Sequence, residues 1–226
     1  MKALARLRSG FILSLQLLPG MGLMLFGWGF DDLSGFFRNP ARAGLVVVVL
    51  SGAVAGVFFG LDFHPLRRGA TQVGGQNLPL VILSVLSLSL LWFLPFADRR
   101  GILKLAHSYW RFPGLLLCCV GVVVRLFGLV ALGEYFSAYV TLQPGHRLVQ
   151  RGIYRYIRHP LYLSLLLAPA GMALVFASYL ALPISFLAAG FVWDRIGKEE
   201  RLLAAHFGAE FEDYRGRTWM LVPFVI

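Results

Sequence analysis

The residues able to do chemistry gather in the second half of the chain. Between positions 134 and 160, Tyr154 and Tyr156 alternate with Arg151, Arg155 and Arg158, and the stretch closes on His159-Pro160. A residue before proline avoids the helical region, so His159 is expected at the mouth of a helix that Pro160 begins. Helix starts attract anions through their free N–H groups and dipole, which makes Arg158 and His159 a candidate carboxylate or phosphate receptor. The competing reading is a basic loop resting on lipid headgroups. A second group follows in Trp193–Gly208, where Ile196, Leu203 and Phe207 recur at helical spacing and Gly208 supplies a stop. Glu199, next to Glu200, is one turn from both Arg195 and Leu203, near the apolar border. Two carboxylates there suit a cation, although an Arg195–Glu199 surface pair worth a few tenths of a kcal/mol explains the same spacing. The third feature is Arg125, ~12 Å along a helix from Gly133 and inside an apolar run. An arginine near a span's centre costs ~2.5–3.5 kcal/mol on insertion scales, so it must snorkel, pair or line a wet cavity.

Other chemistries find little support. Cys118 and Cys119 are adjacent in an apolar run, about 100° apart on a helix, and read as small buried side chains. No CxxC or Cys/His spacing suggests a metal, and no histidine falls in mid-span as haem ligation would need. The chain carries 21 Lys+Arg against 11 Asp+Glu, a net charge of +10. These basic residues flank apolar stretches and face anionic headgroups, so nucleic acid is not expected as a partner.

The positioning elements are expected to be membrane helices. Of 226 residues, 58% are hydrophobic and only 14% charged, far from a soluble domain. Apolar segments lie at 10–30, 43–61, 78–97, 112–133 and 161–193. The first four match the ~20 residues a bilayer requires, and the basic start (Lys2, Arg6, Arg8) reads as the flank of a retained first helix. The fifth is too long for one crossing; Ser178-Tyr179 and Pro183 suggest a hairpin, 161–177 and 179–193. The expected fold is all-α and polytopic, with six spans and a C-terminal amphipathic helix at 194–208. With both termini in the cytoplasm, the inner arginines and lysines (Lys2, Arg6, Arg8, Arg67, Arg68, Arg147, Arg151, Arg155, Arg158 and the tail) outnumber the outer ones (Arg38, Arg42, Arg99, Arg100, Lys104, Arg111). Residues 1–112 form spans one to three with their connectors, and 113–226 hold nearly all the candidate chemistry.

The pattern Gly133-x-x-Phe136, His146-x-Leu148-Val149-x-x-Gly152-x-Tyr154-x-x-x-Arg158-His159-Pro160-x-Tyr162, then Arg195-Ile-x-x-Glu199-Glu200-x-x-Leu203-x-x-x-Phe207-Gly208-x-x-Phe211-x-x-Tyr214, resembles the isoprenylcysteine carboxyl methyltransferase family. Arg125 and Arg217-x-x-x-x-x-Pro223 fit as well. The resemblance covers about residues 120–226; before that only the apolar spans correspond. Ser164 stands where the family commonly has Gly, another small residue, so close packing is expected to survive.

The resemblance implies an integral membrane methyltransferase that uses S-adenosylmethionine and needs no metal. His146, Leu148, Val149, Gly152 and Tyr154 would form the cofactor wall, with Tyr162 beside them. Arg158 and His159 would hold the methionine carboxylate or order the loop. Glu199 would bind the cofactor's amino group or ribose, with Glu200 supporting it or facing the acceptor. A lipophilic, isoprenylcysteine-like acceptor would enter from the bilayer, with Arg125 steering its carboxylate. The site would lie at the cytoplasmic surface among membrane lipids. Thiol or phospholipid methyl transfer, an NADPH-dependent sterol-type reductase and a non-catalytic scaffold are the alternatives.

Overall fold

The computed structural model describes residues 19–59, 71–72, 77–137, 139–142, 145 and 147–224. The start of the expected first span, the cytoplasmic basic flank and His146 lie outside them. Helices dominate in chain order: α1 (19–28, as far as described), α2 (Leu33–Arg38), α3 (Pro40–Phe58), α4 (Asn77–Arg100), α5 (Arg111–Leu132), α6 (Pro160–Val175), α7 (Ala181–Phe207) and α8 (Ala209–Gly216). Two short strands, β1 (Thr71–Gln72) and β2 (Thr141–Leu142), pair antiparallel. Among the described residues, Ser108–Leu132 is apolar and long enough to cross a membrane. The bent pair Phe30–Arg38 and Pro40–Gly56, at 101°, passes the same test jointly.

Small residues line the close contact between α5 and α6. Gly114, Gly121 and Gly128 recur every seven residues on α5, so they share a face against α6. A Cβ at Gly114 would sit 2.6 Å from the Gly171 carbonyl oxygen, and one at Gly171 would sit 2.7 Å from that of Gly114. Such approach of backbones is how apolar helices associate where no hydrophobic force drives them together. Ser164 is buried on the same seam, with its hydroxyl turned back to Leu161 O at 2.7 Å, so close packing does survive there.

The hairpin falls where Ser178-Tyr179 suggested. α6 ends at Val175, residues 176–180 turn, and α7 begins at Ala181. The turn is held from outside: Leu105 N–H donates to Ala177 O at 2.6 Å and Tyr179 N–H to Leu103 O at 2.8 Å. The expected boundary between a short second arm and a separate tail helix at 194–208 is not there. α7 runs unbroken through Trp193-Asp194 for 27 residues, about 40 Å. The charges at Asp194, Arg195 and Lys198 mark a change of surroundings along the helix. Nothing there breaks it, and the stop comes at Gly208, with φ +55°.

One buried ionic cluster ties the other end of the helices together. The Asp98 carboxylate of α4, 1% exposed, accepts from Arg42 Nη1 of α3 at 2.8 Å. It also accepts from Arg111 Nη1 and Nη2 at the start of α5, at 2.7 and 2.6 Å. Arg42 further donates to Phe36 O and Gly35 O and lies 4.1 Å over the Trp28 ring, while Arg111 donates to Val175 O at 2.6 Å. Met24, Trp28, Phe36, Leu94, Val175 and Phe176 pack around this cluster as the main core. Removing one member of such a buried group leaves uncompensated charge, typically at a cost of about 3–5 kcal/mol. Asp98→Asn is therefore expected to lower the unfolding temperature in detergent sharply, measured by tryptophan fluorescence. An unchanged midpoint would show that the two arginines do not depend on that charge.

Candidate functional site

The C-terminal turn of α5, the loop behind it, the N-terminus of α6, the outer half of α7 and α8 enclose a cavity of about 240 Å³. Its wall combines apolar and ring groups (Leu148, Val149, Tyr154, Leu161, Leu165, Phe191) with Arg125, Arg158, His159, Tyr162, Arg195 and Glu199.

His159 is the residue before the first turn of α6, with φ −125° and Pro160 opening the helix, as the His-Pro step dictates. Its buried ring donates from Nε2 to Glu200 Oε1 at 3.1 Å and places Nδ1 4.0 Å from Glu199 Oε1. Arg158 donates from Nε to the same Glu200 oxygen at 3.0 Å, and from Nη1 to Arg215 O at 3.0 Å and to Thr218 O. The backbone N–H groups of Arg158 and His159 are taken by Trp219 O and Met220 O at 2.8 and 3.0 Å. The C-terminal segment therefore lies along this loop as a strap. Of the two roles open to Arg158, ordering the loop is the one its contacts support.

The adjacent carboxylates diverge. Neighbours on a helix point about 100° apart, and Glu200 turns behind the wall while Glu199 faces the cavity. Burial alone would raise the Glu200 carboxyl, but hydrogen bonding and charge from His159, then from Arg158, outweigh it and bring it from 4.5 down to about 2. Glu199 Oε2 accepts from the Tyr162 hydroxyl at 2.7 Å, which in turn accepts from Arg195 Nε at 3.3 Å. Burial, and next the Glu199 charge, raise the Tyr154 phenol well above its usual value, so it stays neutral; its carbonyl accepts from the Tyr214 hydroxyl at 2.8 Å.

Of the residues expected from sequence, Arg125, Leu148, Val149, Tyr154, Arg158, His159, Tyr162 and Glu199 share this cavity. Glu200 stands behind them as their counter-ion. Gly152 is outside the lining; its φ of +60° makes the turn that carries Tyr154, and an added Cβ would lie 3.3 Å from Ala131 Cβ. Arg125 lies on the wall, and among the described residues no hydrogen bond or ion pair reaches its guanidinium. Arg195 is the main residue the sequence reading misjudged. It is 7% exposed and is linked to Glu199 through the Tyr162 hydroxyl, where a surface pair was the simpler expectation. The lining from Tyr135 to Leu142 was also missed: two-residue strands carry no periodicity. Among the described residues no group of His, Cys, Asp and Glu is arranged to hold a metal ion.

Fold and cavity together define a helical protein with a cavity, lined by one anionic and several cationic groups, over the end of an apolar bundle. Residues 114–205 match the model of the Isoprenylcysteine carboxyl methyltransferase (ICMT) family, which confirms the resemblance for that region. The chain is 29% identical over 123 residues to a probable protein-S-isoprenylcysteine O-methyltransferase of Oryza sativa subsp. indica, covering 52% of this chain and 64% of the relative. It is 33% identical over 125 residues to the Saccharomyces cerevisiae protein-S-isoprenylcysteine O-methyltransferase, covering 54% of this chain and 52% of the relative. The chain thus spans between half and two thirds of the length of these relatives. The fold is similar to the solved eukaryotic intramembrane Ras methyltransferase ICMT, with a TM-score of 0.55 and 21% identity over 90% of this chain and 72% of that one.

The depressed Glu200 value fixes the sign of an acid effect. Its carboxylate stabilises the fold above about 4.5, and that contribution is lost as pH falls from there toward about 2. Thermal unfolding followed across this range is expected to show the loss in the parent, and a flatter profile in Glu200→Gln. Identical profiles would remove Glu200 as the counter-ion of Arg158 and His159.

Proposed function

We propose that this protein is an integral membrane methyltransferase that moves a methyl group from S-adenosylmethionine to the carboxylate of a lipophilic, isoprenylcysteine-like acceptor. The observation that carries the reading is the contrast between the arginines. Arg158 is bound to Glu200 and backbone carbonyls, and Arg195 is tied through Tyr162 to Glu199. Arg125 lines the same cavity with no counter-charge on it among the described residues. A half-buried arginine of this kind calls for an anionic ligand.

The donor set fits the cofactor: one carboxylate for an ammonium or ribose, rings and aliphatic groups for a purine, and no metal requirement. S-adenosylmethionine, when bound, supplies the electrophilic methyl group. Leu148, Val149 and Tyr154 would form its wall, with His146 and the Gly152 turn shaping the loop, and Tyr162, His159 and Glu199 would hold its polar end. Glu200 and Arg158 keep His159 and the strap in place. Arg125 would orient the acceptor carboxylate, which is ionised already, so no residue needs to act as a base. The chain's work is alignment and exclusion of water. Arg125 also stabilises the bound acceptor, so its hold must be moderate.

In this reading the chain crosses the bilayer six times, with the last two crossings the α6–α7 hairpin. Both termini and the cavity face the cytoplasm, residues 1–112 form the supporting spans and 113–226 the methyltransferase-like region.

Calorimetric titration of the detergent-purified protein with S-adenosylhomocysteine is expected to show saturable binding that Glu199→Ala abolishes. NADPH should give no heat. Absence of S-adenosylhomocysteine binding by folded protein would remove the reading. With a prenylcysteine acceptor, Arg125→Ala is expected to raise KM by about tenfold or more, the loss of about 1.4 kcal/mol of binding. The rate should vary little with pH above the carboxylate range; a rise toward the thiol pKa would indicate a thiol acceptor instead.

A further inference from the structure

The loop Tyr135–Leu142 forms one wall of the cavity, and its last residues are its least exposed part: Val140 is 3% and Leu142 5% exposed. Strand β2 within it is only two residues long, too short to hold an extended shape by itself. Its partner comes from the other half of the chain. Thr71 and Gln72, in the connector between α3 and α4, pair antiparallel with Leu142 and Thr141 respectively. The first half of the chain therefore reaches the site through this backbone ladder.

We propose that Thr71–Gln72 is a positioning element of the cavity: its backbone fixes the Val140–Leu142 wall, and through that wall sets the affinity of the bound small molecule. The contribution is made by main-chain groups, so it tolerates side-chain change and fails where an N–H is removed. Residues 1–112 then do more than anchor the protein, because they complete the binding wall of the second half. This inference rests on the cavity being the S-adenosylmethionine site.

The test uses the full chain in detergent and S-adenosylhomocysteine as the probe. Thr71→Pro and Gln72→Pro each remove one N–H. At least one of them is expected to weaken binding by about tenfold to a hundredfold, the scale set by a wall displaced by about an ångström. The unfolding midpoint should change little, because the buried Asp98 cluster and the Glu200 contacts are untouched. Thr71→Ala and Gln72→Ala, which keep the N–H, should retain the parent affinity. Parent affinity in both proline variants overturns the proposal, whereas a parent that binds no S-adenosylhomocysteine overturns the cofactor reading instead. A second measurement stands apart from both. Thr71→Cys with Leu142→Cys places two thiols on Cα atoms about 4.5–5.5 Å apart in a paired register, within disulfide reach. Mild oxidation should join them, as read by intact mass after thiol alkylation; failure to cross-link overturns the proposal even if the proline variants do not fold.

Discussion

A single carboxylate organises the end of the molecule remote from the cavity. Asp98 is buried between two arginines that come from different helices; Arg42 gives its other donors to the Phe36 and Gly35 carbonyls, and Arg111 gives one to Val175 O while its buried Nε has no partner among the described residues. The arrangement pairs the charges and satisfies all but one of the buried donors, Arg111 Nε, and such pairing is what allows a buried ionic group to be tolerated. It also fixes the relative height of α3, α4 and α5 and, through Val175, the turn of the hairpin. Of the helices that supply the site, α5 and the end of α6 are registered against this one point.

At the other end the same physics is used selectively. Two adjacent glutamates and three arginines lie within or beside one cavity, yet they are not interchangeable. Helical geometry turns Glu200 inward to neutralise Arg158 and hold His159, and leaves Glu199 on the cavity side with Tyr162 between it and Arg195. The hydroxyl keeps those two opposite charges from collapsing into a direct pair. A site built this way presents charges of both signs to a ligand, and in the proposed function Arg125 would select the sign of a second one.

Much of this could be read from the residues. Pro160 placed His159 at a helix mouth, Ser178-Tyr179 placed the hairpin turn, and the spacing of Glu199 to Leu203 placed that carboxylate at the apolar border. These are local effects, settled by backbone sterics and periodicity. Other features depend on partners far along the chain. Arg42, Asp98 and Arg111 look like ordinary loop charges until folding brings them together. Arg195 was read as a surface residue because nothing nearby in sequence announces the Tyr162 hydroxyl. The continuity of α7 is hidden in the sequence because the charges at Asp194, Arg195 and Lys198 resemble the end of an apolar element while the helix runs on through them. The β1–β2 pairing, two residues on each side, lies below the length at which any pattern is visible.

The unbroken α7 has a consequence for the lipid. One end of this rod is pinned at the buried Ala177–Ser178 turn and the other carries Glu199 and Glu200. A span with a flexible joint at Trp193 could absorb a thinner or thicker bilayer at the joint. If α7 crosses the bilayer as proposed, such a rod answers mismatch by tilting, and the tilt moves both carboxylates relative to the headgroup layer. Hydrocarbon thickness would thereby enter the geometry of the site, and lipid chain length would become a variable on which its chemistry depends.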